Sequence, residues 1–477
     1  MSKDLKVIIV IIIIVIMEFV GREKELEDLE KDFESDNFSL AVIYGRRRVG
    51  KTELIKKFCS NKQHIYHLAT QDTSENQRKN LEDSIAKKFD ETPPRTSDWD
   101  DTIKYVKNKL EDEKLVLAID ELPYIINSAE RVTSKLQKLV EEIESSSMLI
   151  LCGSSISVME SQVLGHKSPL YGRRTLQIDL KPFNFRQASK IIQYKEFEKV
   201  IESFSITGGV PMYLNQFDYS QGLEKNIEEK ILSKNQFLHG EPEFLLRTEL
   251  RNPSRYTSIL KSIANGHTTP NEISNDTNID SGPLSNYLNK LRRIRLIKRE
   301  ITVTASQKKS KRSIYKIRDN FFRFWFRFIE PHQSSIEEKP VQTLENTIKP
   351  SLSKYTSQTF EDICLEATWQ LNHPYTHIGR WWYKEHEIDI VGLNPSKPEI
   401  LLGECKWTEK PVNMKTLKQL ESKAEKVRWK NQEREEKYIL YSKNGFTEKL
   451  ANNAKTREDL KLVNLKTLQK ILENSHS

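Results

Sequence analysis

The chain has 477 residues, with 37% apolar and 30% charged side chains, a formal net charge of +8, a pI ≈ 8.9 and a mean hydropathy of −0.63. This is a polar but globular composition, sized for about three domains, and its surplus of positive charge suits an anionic partner such as nucleic acid. Cys59, Cys152, Cys364 and Cys405 form no C-x-x-C pair and there are 10 histidines, which excludes a disulfide framework, marks no zinc cluster and implies reduced thiols in the cytoplasm.

Residues 7–17 are an unbroken apolar run behind Lys3 and Lys6, followed at once by Glu18, Arg22 and Glu23. A spanning helix takes about 20 apolar residues, and no small-residue cleavage site follows. The expected start of translation is therefore Met17, with 1–17 an extension and no membrane partner; a short membrane anchor is the alternative. Phe19-Val20-Gly21-Arg22-Glu23 then leads into Leu26, Leu29 and Phe33, spaced as on an amphipathic helix.

The most specific stretch comes next. Residues 37–44 read as a buried strand, Gly45-Arg46-Arg47-Arg48-Val49-Gly50-Lys51-Thr52 fits G-x-x-x-x-G-K-[ST], and residues 53–58 read as a helix. Strand, glycine loop and helix together make a phosphate cradle. Gly45 and Gly50 let the backbone curl so that its N–H groups point inward, Lys51 reaches the β- and γ-phosphates, and Thr52 holds Mg²⁺. The helix N-terminus adds positive potential. ATP and Mg²⁺ are the expected cofactors.

Residues 64–69 look like a second strand, and 75–110 carry helical spacing broken at Pro93-Pro94. Leu115-Val116-Leu117-Ala118-Ile119-Asp120-Glu121 is a buried strand with acids at its carboxyl tip, the end that faces ligand in open α/β sheets. Asp120 is expected to bind Mg²⁺ through water and Glu121 to polarise the attacking water. Residues 148–155 form another buried strand, whose tip is expected between the other two. There Ser154 or Ser155 senses the γ-phosphate, or the segment is a simple turn. Arg173 or Arg174 reaches a γ-phosphate in cis or from a neighbouring subunit of a homo-oligomer, or the two are a solvated pair.

These segments, with Cys152-Gly153-Ser154-Ser155, Pro169-Leu170-Tyr171-Gly172-Arg173-Arg174-Thr175 and Gly208-Gly209-Val210-Pro211-Met212-Tyr213-Leu214, resemble the archaeal ATPases of the AAA+/STAND group. The resemblance runs from residue 18 to the C-terminus. It implies an α/β fold: a P-loop ATPase core with a five-stranded parallel sheet over 18–182, and a helical lid over 183–250.

Residues 254–318 read as a winged helix. Its helices are 256–264, one opening at Thr269-Pro270 with Thr269 as cap, and 281–294; wing strands at 296–304 and 313–317 flank a Lys308-Lys309-Ser310-Lys311-Arg312 tip. From Arg292 to Arg312 there are nine basic residues and one acid, Glu300. Such a cluster supplies phosphate contacts without sequence readout, so Lys308, Lys309, Lys311 and Arg312 are candidate DNA-binding residues. A protein partner is the alternative. The aromatic run within 319–339 is expected to be a buried linker rather than a base-stacking platform.

The last part, 340–477, resembles the PD-(D/E)XK nuclease-like module that this ATPase group appends. Glu361 falls on a helix. Asp389 is expected to end one strand and Glu404 its neighbour, with Lys406 on the same face as Glu404. Glu361, Asp389 and Glu404 are the candidate Mg²⁺ ligands, and Lys406 steadies the attacking water or the scissile phosphate. The expected function is an ATP-binding and ATP-hydrolysing protein acting on DNA, with a Mg²⁺-dependent nuclease tail gated by ATP. The alternative is an ATP-switched DNA-binding or scaffold protein whose tail is inactive.

Overall fold

The computed structural model describes residues 19–129, 131–305, 313–430 and 433–474. The 1–17 extension and the tip residues Lys308, Lys309, Lys311 and Arg312 lie outside the described residues. The chain divides into two units, one ending at Pro182 and the other beginning at Phe183.

The first unit is built on a parallel sheet of β1 (Ser39–Tyr44), β2 (His64–Leu68), β3 (Val116–Asp120), β4 (Met148–Gly153) and β5 (Leu176–Asp179), in the order β2-β3-β4-β1-β5. β4 lies between β3 and β1, in register Ile119↔Leu151 and Ile43↔Cys152. A parallel sheet covered on both faces needs strands that are apolar throughout, and β1, β3 and β4 are buried along their whole length. The helical stretch before β3 is two helices, Ser74–Phe89 and Trp99–Asp112, parted around Pro93-Pro94. Because all five strands run the same way, the loop after β1 and the tips of β3 and β4 meet at one edge, the ligand edge of an open α/β sheet.

The second unit starts with helices that include Phe197–Thr207 and Phe237–Glu249, followed by Pro253–Ala264, Pro270–Thr277 and Ser281–Arg293. Thr269 caps Pro270–Thr277 in a reciprocal capping box with Glu272, and Pro270 takes the first position. An antiparallel ribbon of β6 (Ile297–Ile301) and β7 (Ser313–Ile317) comes next. The aromatic run is core: Phe321, Phe322, Phe324, Trp325 and Phe326 are fully buried, and the Trp325 indole donates to the His239 carbonyl at 2.7 Å. No ring in that set is open to a base.

The long helix Lys349–Trp369 leads to a second five-stranded sheet, β12-β11-β10-β9-β8. Its strands are β8 (His377–Tyr383), β9 (His386–Asn394), β10 (Glu399–Lys406), β11 (Glu435–Ser442) and β12 (Leu460–Asn464). β8, β9 and β10 are antiparallel neighbours, and β10, β11 and β12 run parallel. No helix among the described residues is long and apolar enough to cross a membrane.

Candidate functional site

The loop after β1 closes tightly on its own strand edge. Gly45 has φ +158, and a Cβ there would lie 2.2 Å from the Leu180 carbonyl oxygen; only glycine fits. Arg48 (φ 71) and Gly50 (φ 91) both take left-handed conformations, and Gly50 caps the helix Lys51–Cys59. Successive turns of this kind gather backbone N–H groups into an anion-binding concavity. The Lys51 ammonium is buried and donates to the carbonyls of Gly45 (3.0 Å) and Arg46 (3.1 Å). It therefore spans the mouth of the curl.

The loop's hydroxyl and the β3 acid are joined directly. Thr52 Oγ1 donates to Asp120 Oδ2 at 2.7 Å, and the Tyr66 hydroxyl, from β2, donates to the same oxygen at 2.9 Å. Burial and the Asp120 carboxylate push the Tyr66 phenol well above its ordinary range, so it stays a donor. Glu121 takes a left-handed conformation (φ 56) at the start of helix Leu122–Ser128, a strained geometry that clusters at functional sites. Its carboxylate accepts from Ser154 Oγ (2.8 Å) and the Ser154 N–H (3.3 Å). Of the two serines proposed at the β4 tip, Ser154 is the one on Glu121. A hydroxyl and one carboxylate, backed by phosphate oxygens and water, match the hard oxygen set that Mg²⁺ takes.

Arg173 and Arg174 are not at this edge. The Thr175 N–H donates to the Leu40 carbonyl at 2.9 Å, so the arginine pair lies beside the amino end of β1, roughly 17 Å along the strand from Gly45 at about 3.3 Å per residue. Arg173 pairs with Glu141 at 2.6 Å. The cis reach toward a γ-phosphate is therefore corrected: within this chain the strand's length separates the two groups.

In the second unit, Glu361, Asp389, Glu404 and Lys406 come together, by a different route from the expected one. Asp389 does not end its strand, because β9 continues to Asn394. The antiparallel register Gly403↔Ile390 is what sets Glu404 beside Asp389. Asp389 Oδ2 accepts from the Cys405 N–H at 2.8 Å. Burial and the Glu404 charge raise the Asp389 carboxyl, and burial and the Asp389 charge raise Glu361. Cations of the chain answer these acids. Glu404 receives Lys406 Nζ at 2.6 Å and Lys423 Nζ at 2.9 and 3.1 Å. Arg380 pairs with Glu361 at 3.4 Å and with Asp362 at 2.9 Å. Among the described residues, no three His, Cys, Asp or Glu are gathered as a metal-holding group. The expected trio of Mg²⁺ ligands is thus adjacent but not assembled around one point, and Lys406 lies on Glu404 instead of standing apart from it.

Comparison with known proteins adds the family. Residues 19–217 match the family described as an ATPase domain predominantly from Archaea. Residues 325–437 match one described as archaeal and bacterial proteins of unknown function. An uncharacterized protein of Methanocaldococcus jannaschii is 34% identical over 404 residues, 82% of this chain and 88% of that protein. The chain belongs to this family of archaeal P-loop ATPases. An uncharacterized ATP-binding protein of the same organism is 55% identical to this ATPase over 47 residues, 10% of the chain and 80% of the relative. The Walker-type ATPase of Pyrococcus abyssi shares the fold, with a TM-score of 0.50 and 21% identity over 65% of this chain and 96% of its own.

Four residues of the ATPase were given no role by sequence reasoning: Arg22, Tyr66, Arg380 and Lys423. Each acts across a fold contact that no local motif encodes. Arg22 is the clearest. It is 5% exposed, and its guanidinium donates to the carbonyls of Val49 (3.2 Å) and Lys181 (2.5 Å) and pairs with Glu25 (3.2 Å). It clamps the back of the phosphate loop to the segment after β5. Hydrogen bonds to a charged group contribute about 1.5–3 kcal/mol each, so Arg22→Ala is expected to lower the thermal midpoint of the first unit and to raise the KM for ATP. Unfolding curves with and without ATP check this; an unchanged midpoint and KM would remove the clamp.

Proposed function

We propose that this ATPase binds ATP and Mg²⁺ in the loop Gly45 to Thr52, hydrolyses the nucleotide at the carboxyl edge of the parallel sheet, and couples that cycle to DNA held by residues 254–318. The observation that carries the reading is the Thr52–Asp120 hydrogen bond, which joins the loop to the acid of β3 with Glu121 one residue on. Backbone N–H groups of the curl, from Gly45 through Arg46, Arg47, Arg48 and Val49 to Gly50, cradle the phosphates, and Lys51 meets their β- and γ-oxygens. Thr52 and Asp120 would hold Mg²⁺, which would supply positive charge to those oxygens. Tyr66 holds Asp120 in place. Glu121 orients the attacking water and accepts its proton, and Ser154 sets the direction of the Glu121 carboxylate. Arg173 or Arg174 meets the γ-phosphate of a neighbouring copy in a homo-oligomer. Lys308, Lys309, Lys311 and Arg312 contribute phosphate contacts to DNA. Purified protein is expected to release phosphate from ATP only with Mg²⁺, and faster with duplex DNA present. A rate indifferent to DNA, with no DNA retained, would leave the ATPase and remove its proposed substrate.

A second reading concerns the tail. The adjacency of Asp389, Glu404, Lys406 and Glu361 supports a Mg²⁺-dependent nuclease. The engagement of both Glu404 oxygens by Lys406 and Lys423 supports an inactive module. Under the nuclease reading, plasmid, single-stranded or branched DNA is cut with Mg²⁺ or Mn²⁺ and ATP, and Asp389→Ala abolishes cutting while ATP turnover continues. Absence of cutting on every substrate assigns the tail a binding role.

A further inference from the structure

The helix Ser281–Arg293 has two faces of unlike character. Leu284, Leu288 and Leu291 are buried, and Tyr287 meets the Tyr256 ring edge-on at 5.1 Å. The other face presents Gly282, Ser285, Asn286, Asn289, Arg292 and Arg293, all exposed and spaced at helical intervals along one line. Across its 13 residues the helix carries no Asp or Glu.

This is not how a helix face that only meets water is built. Exposed helical positions are stabilised by Ala, Glu, Gln and Lys and by acid–base pairs four apart. Ser and Asn lower helix stability because their side chains compete for the backbone, and Gly costs more. Beyond the first turn, which holds Gly282, the line Ser285, Asn286, Asn289 spends helix stability at three exposed positions. Contact with a partner accounts for that expense.

The chemistry of the face names the partner. Each Asn amide offers a donor and an acceptor side by side, the pattern that pairs with the adenine N6 and N7 edge, and Ser pairs with any base. Arg292 and Arg293, at the carboxyl end, are exposed guanidiniums for phosphate. Arg292 rests against Asn289 at 3.3 Å. Asp280 lies at the opposite end of the helix. The carboxylates of the neighbouring helix Pro270–Thr277 are occupied: Glu272 by the Thr268 and Thr269 N–H groups, Asp276 by His267. An α-helix is about 10–12 Å across with side chains, and the major groove of B-DNA is about 12 Å wide.

We propose that Ser281–Arg293 enters the major groove of duplex DNA, with Asn286 and Asn289 reading adenine-containing base pairs and Arg292 and Arg293 fixing the register on the backbone. The inference rests on the DNA reading above and adds sequence preference to it. It departs from the expectation that this region supplies phosphate contacts alone.

The test uses the full chain. Selection from a random duplex pool is expected to enrich a short motif containing adenine. Competition against scrambled duplex then measures the preference. Asn286→Ala with Asn289→Ala should reduce that preference by about tenfold or more, the loss confined to the selected sequence, and should not lower the thermal midpoint because Ala is the better helix former. Arg292→Ala and Arg293→Ala should weaken binding to every duplex and flatten the log–log salt slope by about 0.9 each. Enrichment without a motif, or a double Asn variant that keeps its preference, overturns the readout while leaving DNA binding in place. Failure to bind any duplex overturns the DNA reading itself.

Discussion

Lys51→Ala is expected to cut ATP turnover to about one-hundredth of the wild-type rate or less, the scale seen when a charge-stabilising group is removed from a reacting oxygen. The ammonium is buried and directed across the loop by two carbonyls, those of Gly45 and Arg46. A phosphate group entering the curl would exchange those neutral acceptors for charged ones, and charge-assisted hydrogen bonds are about twice as strong. Alanine leaves the carbonyls without their cation and the phosphates without the lysine. The loop itself should persist, because Gly45, Gly50 and the Arg22 clamp set its path without Lys51. Steady-state phosphate release, paired with a thermal midpoint, separates the two effects. Normal turnover by the variant would mean that phosphate chemistry is done elsewhere in the chain.

The largest stability effect is expected at Arg380. This side chain is 4% exposed and pairs with Asp362 (2.9 Å), Glu361 (3.4 Å) and Glu300 (3.5 Å). Glu300 belongs to β6, where Lys298 (2.7 Å) and Lys316 (3.2 Å) also reach it. The same place is tied by a backbone bond from the Val303 N–H to the Arg380 carbonyl at 2.9 Å. Removing one partner of a buried ion network costs about 3–5 kcal/mol, because the opposite charges stay buried without it. Arg380→Met should therefore loosen the ribbon from β8 and lower the melting midpoint of the second unit sharply at neutral pH. The pH dependence has a definite sign. Although burial opposes it, Lys298 and Arg380 hold the Asp362 carboxyl well below its ordinary value. Its stabilising contribution is present above the unfolded pKa and is lost as pH falls through the folded one. In the variant that depression is relieved, so the carboxylates take up protons at higher pH. The gap between wild type and Arg380→Met should narrow from pH 7 toward pH 4. A gap that is constant with pH would assign the loss to packing instead.

Much of the first unit was legible in its sequence, because its decisive features are local. A parallel sheet needs continuous apolar strands, and 40–44, 115–119 and 148–152 are such runs, each ending where a glycine or an acid begins. The β4 tip lies between β1 and β3, as expected, although apolar runs alone do not set strand order. What sequence could not supply was pairing at a distance. Arg22 meets Lys181, Tyr66 meets Asp120 and Arg380 meets Glu300 only after sheets and helices have docked. The cis role for Arg173 and Arg174 failed for a related reason. Their nearness in sequence to β5 said nothing of which end of the sheet they occupy. In the second unit, Asp389 was expected to end its strand, yet β9 runs on to Asn394, with Gly392 and Leu393 paired across to β10. The lysine from helix Met414–Ala424, Lys423, reaches Glu404 across 19 residues of chain, which spacing alone does not disclose.

Single-turnover hydrolysis by Glu121→Gln tests the central claim most directly. Glutamine keeps the side chain's size and its contact with Ser154 but removes the carboxylate that accepts a proton from water. Mixed with radiolabelled ATP and Mg²⁺, the variant should retain intact ATP on the protein at wild-type affinity while ADP formation falls by about 10²-fold or more, within the 10²–10⁴ range for a positioned general base. Wild-type rates of ADP formation from Glu121→Gln would contradict the account, because the acid at the tip of β3 would then have no part in the chemistry.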